Sequence, residues 1–448
     1  HDRMGRLTEK RYRDGEQTLK ERFRYDRCGR VTALLNPWRE VTRKYDAAGR
    51  LTEERQDGLG IYWRYDAAGN CISRHSDAGH RTEWRYNQRG QPVAVTLDGE
   101  TSRFAYDACG RLQDETLGET LSRRYRYDAR DRLVSQAVSR NDAGLFSTGY
   151  RYDRNGNPEE RSDSRLGHEY FSYDPVGRLL AHTCPEGRVT RFIQDAAGNQ
   201  LLTQIRAQDD TPQGWWREGE LHGVRYLFDR AGNLRRQNDR DGNHRQLRWD
   251  GNQRLRGSRD KHHTTEYGYD AAGRRVFKRN AQETTWFWWD GDALLGEVTR
   301  PSSTPGLPDT AAADPDDAKA SAQRRLAARA LWPAMQEYVY RPGSFIPFAL
   351  LPDRTQTDAR IHYYHNDLNG CPLRLTDGDG NITWEAQYHA WGGVKRLTQQ
   401  VHNPLRFQGQ YYDKETGLHY NRYRYYNPHS GSFISQDPIG LLGGVNVY

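Results

Sequence analysis

The six residues Tyr45–Arg50, YDAAGR, constrain this chain more than any other feature, because variants of them return along most of its length at intervals of roughly 20 to 21 residues. Close copies begin at Tyr25, Tyr65, Tyr106, Tyr152, Tyr173 and Tyr269, and looser ones at Tyr86, Tyr127, Gln194, Phe228 and Trp249. Each hexamer has a physical reason to turn: Asp46 can accept hydrogen bonds from the backbone just ahead of it, and Gly49 can take the positive φ that closes the turn. A side chain at Gly49 would carry about 1 to 2 kcal/mol of left-handed strain.

Between hexamers the pattern has a period of two. Thr82, Trp84 and Tyr86 share one face of a strand, and Glu83 and Arg85 take the wet one. A second turn signal, Asp77-Ala78-Gly79, lies midway between the hexamers at Tyr65 and Tyr86, so one period reads strand, turn, strand, turn. The unit is a β-hairpin. An isolated hairpin is marginal in water, so the units must pair edge to edge into a long antiparallel sheet. The fold class is therefore all-β, with strand dominating from His1 to Trp289.

Composition tests that reading. Of 448 residues only 35% are hydrophobic, and the mean hydropathy of -1.05 would suit a disordered chain. The 28 Tyr and 12 Trp argue against disorder and for a sheet that packs through aromatic faces. A net charge of +7 is spread among acidic residues, as in Thr52-Glu53-Glu54-Arg55, which suits cross-strand ion pairs rather than a nucleic-acid surface. Cys28, Cys71, Cys109, Cys184 and Cys371 have no CxxC spacing and read as free thiols, not as a disulfide framework or zinc site. No apolar run approaches the ~20 residues of a membrane span, and no leader sequence is evident. His1–Arg6 is itself hexamer-like, so the array is expected to continue upstream of His1.

The chain divides by composition into three segments. Residues 1–299 carry the repeats, with longer connections at Asn141–Gly149 and at Asp209–Gly219, which includes Trp215-Trp216; both are expected to be excursions at a sheet rim. Residues 300–331 lose the period of two: Arg300–Thr310 reads as irregular linker, followed by a short helix. That helix is expected to begin at Asp314 with Pro315 at its first position, to end near Leu331, and to be a solvated insertion. Residues 332–448 are β-like again but no longer a plain repeat. They include FQGQYYDKETGLHYNRYRYYNP from Phe407 and SQDPIGLLGGVNVY from Ser435.

These last two stretches, with the hexamers, closely resemble the Rhs (YD-repeat) family of bacterial polymorphic toxins, which includes the C subunits of insecticidal Tc complexes. The resemblance implies that the repeats wind into a spiral shell, or cocoon, around a C-terminal toxin domain of the same polypeptide, and that 332–448 is the Rhs-associated core, truncated at its C-terminus. It implies an aspartic self-protease in which two DPxG aspartates cooperate. Asp437, in Asp437-Pro438-Ile439-Gly440, matches the first, and Arg424 stands where the family places a supporting arginine that keeps Asp437 charged. The second DPxG and the scissile bond are absent, so these 448 residues alone are expected to be inactive.

The resemblance further implies folding in the bacterial cytoplasm followed by secretion, in related effectors by a type VI system. A spike protein or chaperone would be met through the region upstream of His1. The repeats alone would equally suit an extracellular adhesion or carbohydrate-binding module. No cofactor-binding or metal-ligating residue is read. His362, His365 and His389 lack a ligand spacing and read as packing or surface residues, and Gly392-Gly393 and Gly443-Gly444 lack the Lys-Ser/Thr of a phosphate loop.

Overall fold

The computed structural model describes residues 1–207 and 215–438, except the side chains of residues 206, 207 and 215. Its strands form three antiparallel sheets of 18, 16 and four strands. The first runs from Glu9–Asp14 to Val189–Arg191, the second from Thr203–Ala207 to Val394–Gln399, and the third from Tyr411–Asp413 to Ser432–Phe433. Within each sheet every strand pairs with its neighbour in sequence, so each sheet is a plain meander.

The hexamer explains the local geometry. In Tyr45–Arg50 the Arg50 backbone N–H donates to Asp46 Oδ1 at 2.9 Å, its Nε donates to Asp46 Oδ2 at 2.7 Å, and Gly49 has φ +83°. Two further contacts tie each repeat to its neighbours. Tyr45 Oη donates to Val31 O at 2.7 Å, and the Arg50 guanidinium donates to Asp66 O at 3.1 Å while lying 4.9 Å above the Tyr65 ring. Several midway turns, such as Asp57-Gly58 and Asp98-Gly99, are two-residue hairpins with positive φ at both positions, while Asp77-Ala78-Gly79 is a longer turn with positive φ at Gly79 alone. A β-bulge accompanies most hexamers, between Lys44 and Tyr45, Arg64 and Tyr65, and Arg85 and Tyr86, for example. Bulges bend a sheet and deepen its twist, so a bulge at most repeats curls the meander.

The curl brings the first sheet round to meet the second. Gln56 Nε2 donates to Trp289 O at 2.6 Å, Ser76 Oγ to Glu337 Oε1 at 2.7 Å, Arg123 Nη1 to Tyr364 O at 2.7 Å and Arg374 Nη2 to Asp163 Oδ1 at 2.7 Å. The partners in these pairs are 211 to 261 residues apart, which is the length of one turn of a spiral. The midway hairpins of the first turn thus dock on the hexamer rim of the second.

This seam is charged. Arg39, Arg123, Arg274 and Arg374 are fully buried in it, with Glu54 accepting from both Arg43 and Arg274, and Glu115 from both Arg123 and Arg341. Buried ion pairs add little net stability over apolar contacts, but losing one partner costs heavily. They therefore fix which repeat meets which, and they account for the low hydrophobic content. Apolar clusters fill the space between, such as Trp84, Phe104, Phe348 and Tyr363.

Several sequence expectations change here. The stretch Asn141–Gly149 is no excursion: Asn141-Asp142 is a tight positive-φ turn, and the extra residues lengthen the strands Leu133–Arg140 and Ala143–Tyr152. Trp215–Leu221 is a strand paired with Thr203–Ala207, while the 208–214 part of the second expected excursion lies outside the described residues. The repeat geometry also continues past Trp289. Trp289 Nε1, Tyr340 Oη, Asn366 Nδ2 and Tyr388 Oη each donate to the carbonyl of the preceding repeat, as Tyr45 does.

The strand Ala293–Pro301 carries two residues into the expected linker, and 302–317 is irregular. The helix α1 spans Ala318–Leu331, three residues later than expected at its first position, because Asp317 caps it by accepting from Lys319 N and Ala320 N. Asp314 instead holds a preceding turn and pairs with Lys20 at 3.2 Å. Nor is the helix merely solvated. Arg324, buried, reaches Pro37 O and Asp57 Oδ1, both at 3.1 Å, so this insertion from the second turn straps down the first.

Candidate functional site

The four-stranded sheet at the end of the described chain packs against the second turn. Its anchor is Asp413, fully buried, which takes Arg275 through two contacts of 2.6 and 2.9 Å and Lys278 at 3.2 Å. Burial pushes the Asp413 carboxyl upward, but Arg275 and Lys278 together bring it below its ordinary value. Arg275 sits among the rings of Phe287, Tyr411 and Tyr420 at 4.7, 5.1 and 4.4 Å, where cation–π attraction replaces lost hydration. Tyr269 and Tyr425 share a hydrogen bond of 2.6 Å, and Leu234 N donates to Ile434 O at 2.9 Å.

This docking holds Asp437 of the DPxG pattern and Arg424, the expected supporting arginine. Arg424 opens the strand Arg424–Asn427, and Asp437 follows the strand Ser432–Phe433 as the chain turns back. Arg424 Nη2 lies 3.4 Å from Asp437 Oδ2, with side chains 20% and 22% exposed, so both are recessed without being sealed off. Burial pulls the Arg424 guanidinium below its usual value, opposed by Asp437. Arg424 also stacks on Phe433, with its guanidinium carbon 3.6 Å from the ring centre.

Asp437 lines a cleft of about 630 Å³ where all three sheets meet. The first turn contributes Glu21, the second Arg254 and Tyr269, and the third sheet Tyr423 and Tyr425. Glu21 is a cleft carboxyl that the sequence reading missed. It is raised above its ordinary value by burial, against the pull of Arg254, which pairs with it at 3.0 Å. Only its position one spiral turn from Arg254 marks it out, and no local motif carries that information. Ile439 and Gly440 of the DPxG pattern, and Gly443-Gly444, lie outside the described residues.

The histidines lie elsewhere. His365 is buried against Phe146 and hydrogen-bonded to Thr376 Oγ1 at 2.8 Å, and His362 meets Thr383 Oγ1 at 2.9 Å. Among the described residues no group of His, Cys, Asp and Glu forms a metal-binding cluster, and no helix is long and apolar enough to cross a membrane.

Comparison with known proteins agrees with this architecture. Residues 2–117 match the Teneurin YD-shell model, and residues 361–397 match the Rhs protein model. The chain is 33% identical over 390 residues to the double-stranded DNA deaminase toxin A of Burkholderia cenocepacia, covering 78% of this chain and 25% of that protein. It is 33% identical over 353 residues to the toxin protein Tse5 of Pseudomonas aeruginosa, covering 68% of this chain and 26% of that one. It therefore spans about a quarter of the length of these relatives. The crystal structure of TcdB2-TccC3-Cdc42 superposes on 99% of this chain with a TM-score of 0.67 at 16% identity, covering 25% of that chain, which shows a shared fold. With its hexamers carried on antiparallel meanders wound into a spiral, the chain belongs to the Rhs (YD-repeat) family.

Proposed function

We propose that this chain is a shell segment of an Rhs toxin that encloses a C-terminal toxin domain of the same polypeptide, and that Asp437 serves the aspartic self-cleavage that severs that domain in the full-length protein. The observation that carries the reading is the seam. A meander whose successive turns are sealed rim to rim by buried ion pairs bounds a volume, whereas an adhesive module needs an open ligand face. The names of the two toxin relatives support the same reading.

In the chemistry proposed, one carboxylate takes a proton from water as the water oxygen bonds to the scissile carbonyl carbon. A second, protonated carboxyl gives its proton to the carbonyl oxygen, and the C–N bond then breaks as the nitrogen takes up a proton. Asp437 supplies one carboxyl, with Arg424 beside it; the other belongs to sequence beyond these residues. The protein would fold in the bacterial cytoplasm and then be secreted or delivered into target cells, with a spike protein or chaperone as partner upstream of His1.

The test is the natural full-length chain. The wild type should yield a separate C-terminal fragment that co-purifies with the shell and resists protease until denaturant opens it. Asp437→Asn should remain a single folded chain, since an amide cannot exchange the proton. Cleavage of the Asn variant at the wild-type rate would assign Asp437 a structural role. A fragment freely open to protease, with saccharide bound along an exposed aromatic face, would support the adhesion reading instead.

A further inference from the structure

We infer that Phe433 is a positioning residue for Arg424, and through it for Asp437; this inference rests on the reading of Asp437 as a self-cleavage acid. The ion pair alone does not fix the guanidinium. Its 3.4 Å approach is long beside the 2.7–2.9 Å usual for charge-assisted contacts, and the hexamer pair Arg50–Asp46 closes to 2.7 Å. The ring contact is the tighter restraint. At 3.6 Å it is the closest arginine–aromatic approach among the described residues, against 4.8 and 4.9 Å for the hexamer stacks of Arg30 on Tyr45 and Arg50 on Tyr65.

The ring is itself held in place. Phe433 stands opposite Tyr426 in the strand register, with ring centres 5.6 Å apart in an edge-on arrangement. Tyr426 Oη donates to Trp391 O at 2.9 Å, on the rim of the second turn. A continuous path therefore runs from the spiral wall through Tyr426 and Phe433 to Arg424 and Asp437. Arg424 lies two residues before Tyr426 in its strand, so both side chains project to the face on which Phe433 sits. A flat ring restrains a planar guanidinium in orientation as well as distance, which an aliphatic side chain of similar bulk does not do.

The experiment measures self-cleavage rates of the full-length chain. Phe433→Leu is expected to slow cleavage about tenfold, and Phe433→Tyr, which keeps the ring, to stay near the wild-type rate. In an Arg424→Gln background, Phe433→Leu should add no further loss, because the ring acts only through the guanidinium. Equal slowing by the Leu and Tyr variants, or losses that multiply in the double variant, would overturn the inference. Should Phe433→Leu fail to fold, Phe433→Tyr and Phe433→Tyr combined with Arg424→Gln give the same decision from the ring-retaining side: a Tyr variant as slow as Arg424→Gln overturns it. Asp437→Asn separates the two readings. If that variant cleaves like wild type, the self-cleavage reading itself fails; if it is inert while Phe433→Leu cleaves at the wild-type rate, only the positioning role fails.

Discussion

Tyr45–Arg50 and Tyr269–Arg274 are the same six residues, YDAAGR, and they fold into the same clasp. Arg50 Nε meets Asp46 at 2.7 Å and Arg274 Nε meets Asp270 at 2.8 Å; Gly49 has φ +83° and Gly273 +77°; both tyrosines donate to the carbonyl of the preceding repeat. Their surroundings differ. Asp46 and Arg50 side chains are 23% and 36% exposed on an undocked rim of the first turn, whereas Asp270 and Arg274 are 0% and 1% exposed in the seam, where Arg274 also donates to Glu54 at 2.8 Å. The hexamer therefore sets shape in both places, while its energetic worth depends on what docks against it.

The largest expected break in that equivalence is Arg274→Ala, which takes the ion-pair partner from the buried Asp270 and one of two arginines from Glu54, and should cost about 3–5 kcal/mol in urea unfolding. Arg50→Ala should cost a small fraction of that, because water replaces the guanidinium. Equal losses would show that the two spiral turns do not meet at the seam.

Acid tests the buried copy next. Burial raises the Asp270 carboxyl, but Arg274 outweighs it and leaves the group below its usual 3.8. A carboxyl depressed in the folded state contributes stability above its unfolded value and loses it as pH falls through the folded one. Stability measured from about pH 6 down to about pH 3 should therefore fall less steeply in Asp270→Asn than in wild type. An unchanged slope would mean that Asp270 is not charged in the seam.

A smaller contrast is expected between the tyrosines. Tyr269→Phe removes bonds to Leu255 O and Tyr425 Oη, both 2.6 Å, in a fully buried setting and should cost about 1–3 kcal/mol. Tyr45→Phe removes only the bond to Val31 O on the partly exposed rim and should cost about 0.5–1.5 kcal/mol. Smallest of all should be the difference between Gly49→Ala and Gly273→Ala. Each carries about 1–2 kcal/mol of left-handed strain, and an added Cβ meets no atom closer than 3.7 Å at Gly49 or 3.5 Å at Gly273. Thermal unfolding that separated these two glycine variants widely would contradict the identity of the clasps.

What was legible in sequence follows the range over which each feature acts. The clasp, the midway turn and the alternating strands lie within one repeat, so Tyr45–Arg50 and Asp77–Gly79 announce them. Copies such as Trp289 and Asn366 are hidden because the slot accepts side chains other than tyrosine, and an indole or amide N–H makes the same bond to the preceding repeat. The helix start was misplaced because Pro315 suits a first helical turn, yet Asp317 offers the better cap. The seam was invisible, since Glu21 and Arg254, or Glu54 and Arg274, pair across a whole spiral turn with no periodic signal. The nearness of Arg424 to Asp437 was legible only through the resemblance. As residues they look like any of the chain's many Arg–Asp pairs.

The bulge that precedes most hexamers has a consequence for how such molecules grow. Because each such repeat stamps the same increment of curvature into the sheet, repeats per circuit are set locally, at junctions such as Lys44/Tyr45 and Arg64/Tyr65. Duplicating repeats therefore lengthens the coil along its axis and leaves its calibre unchanged, as winding more wire on a mandrel makes a taller spring and not a wider one.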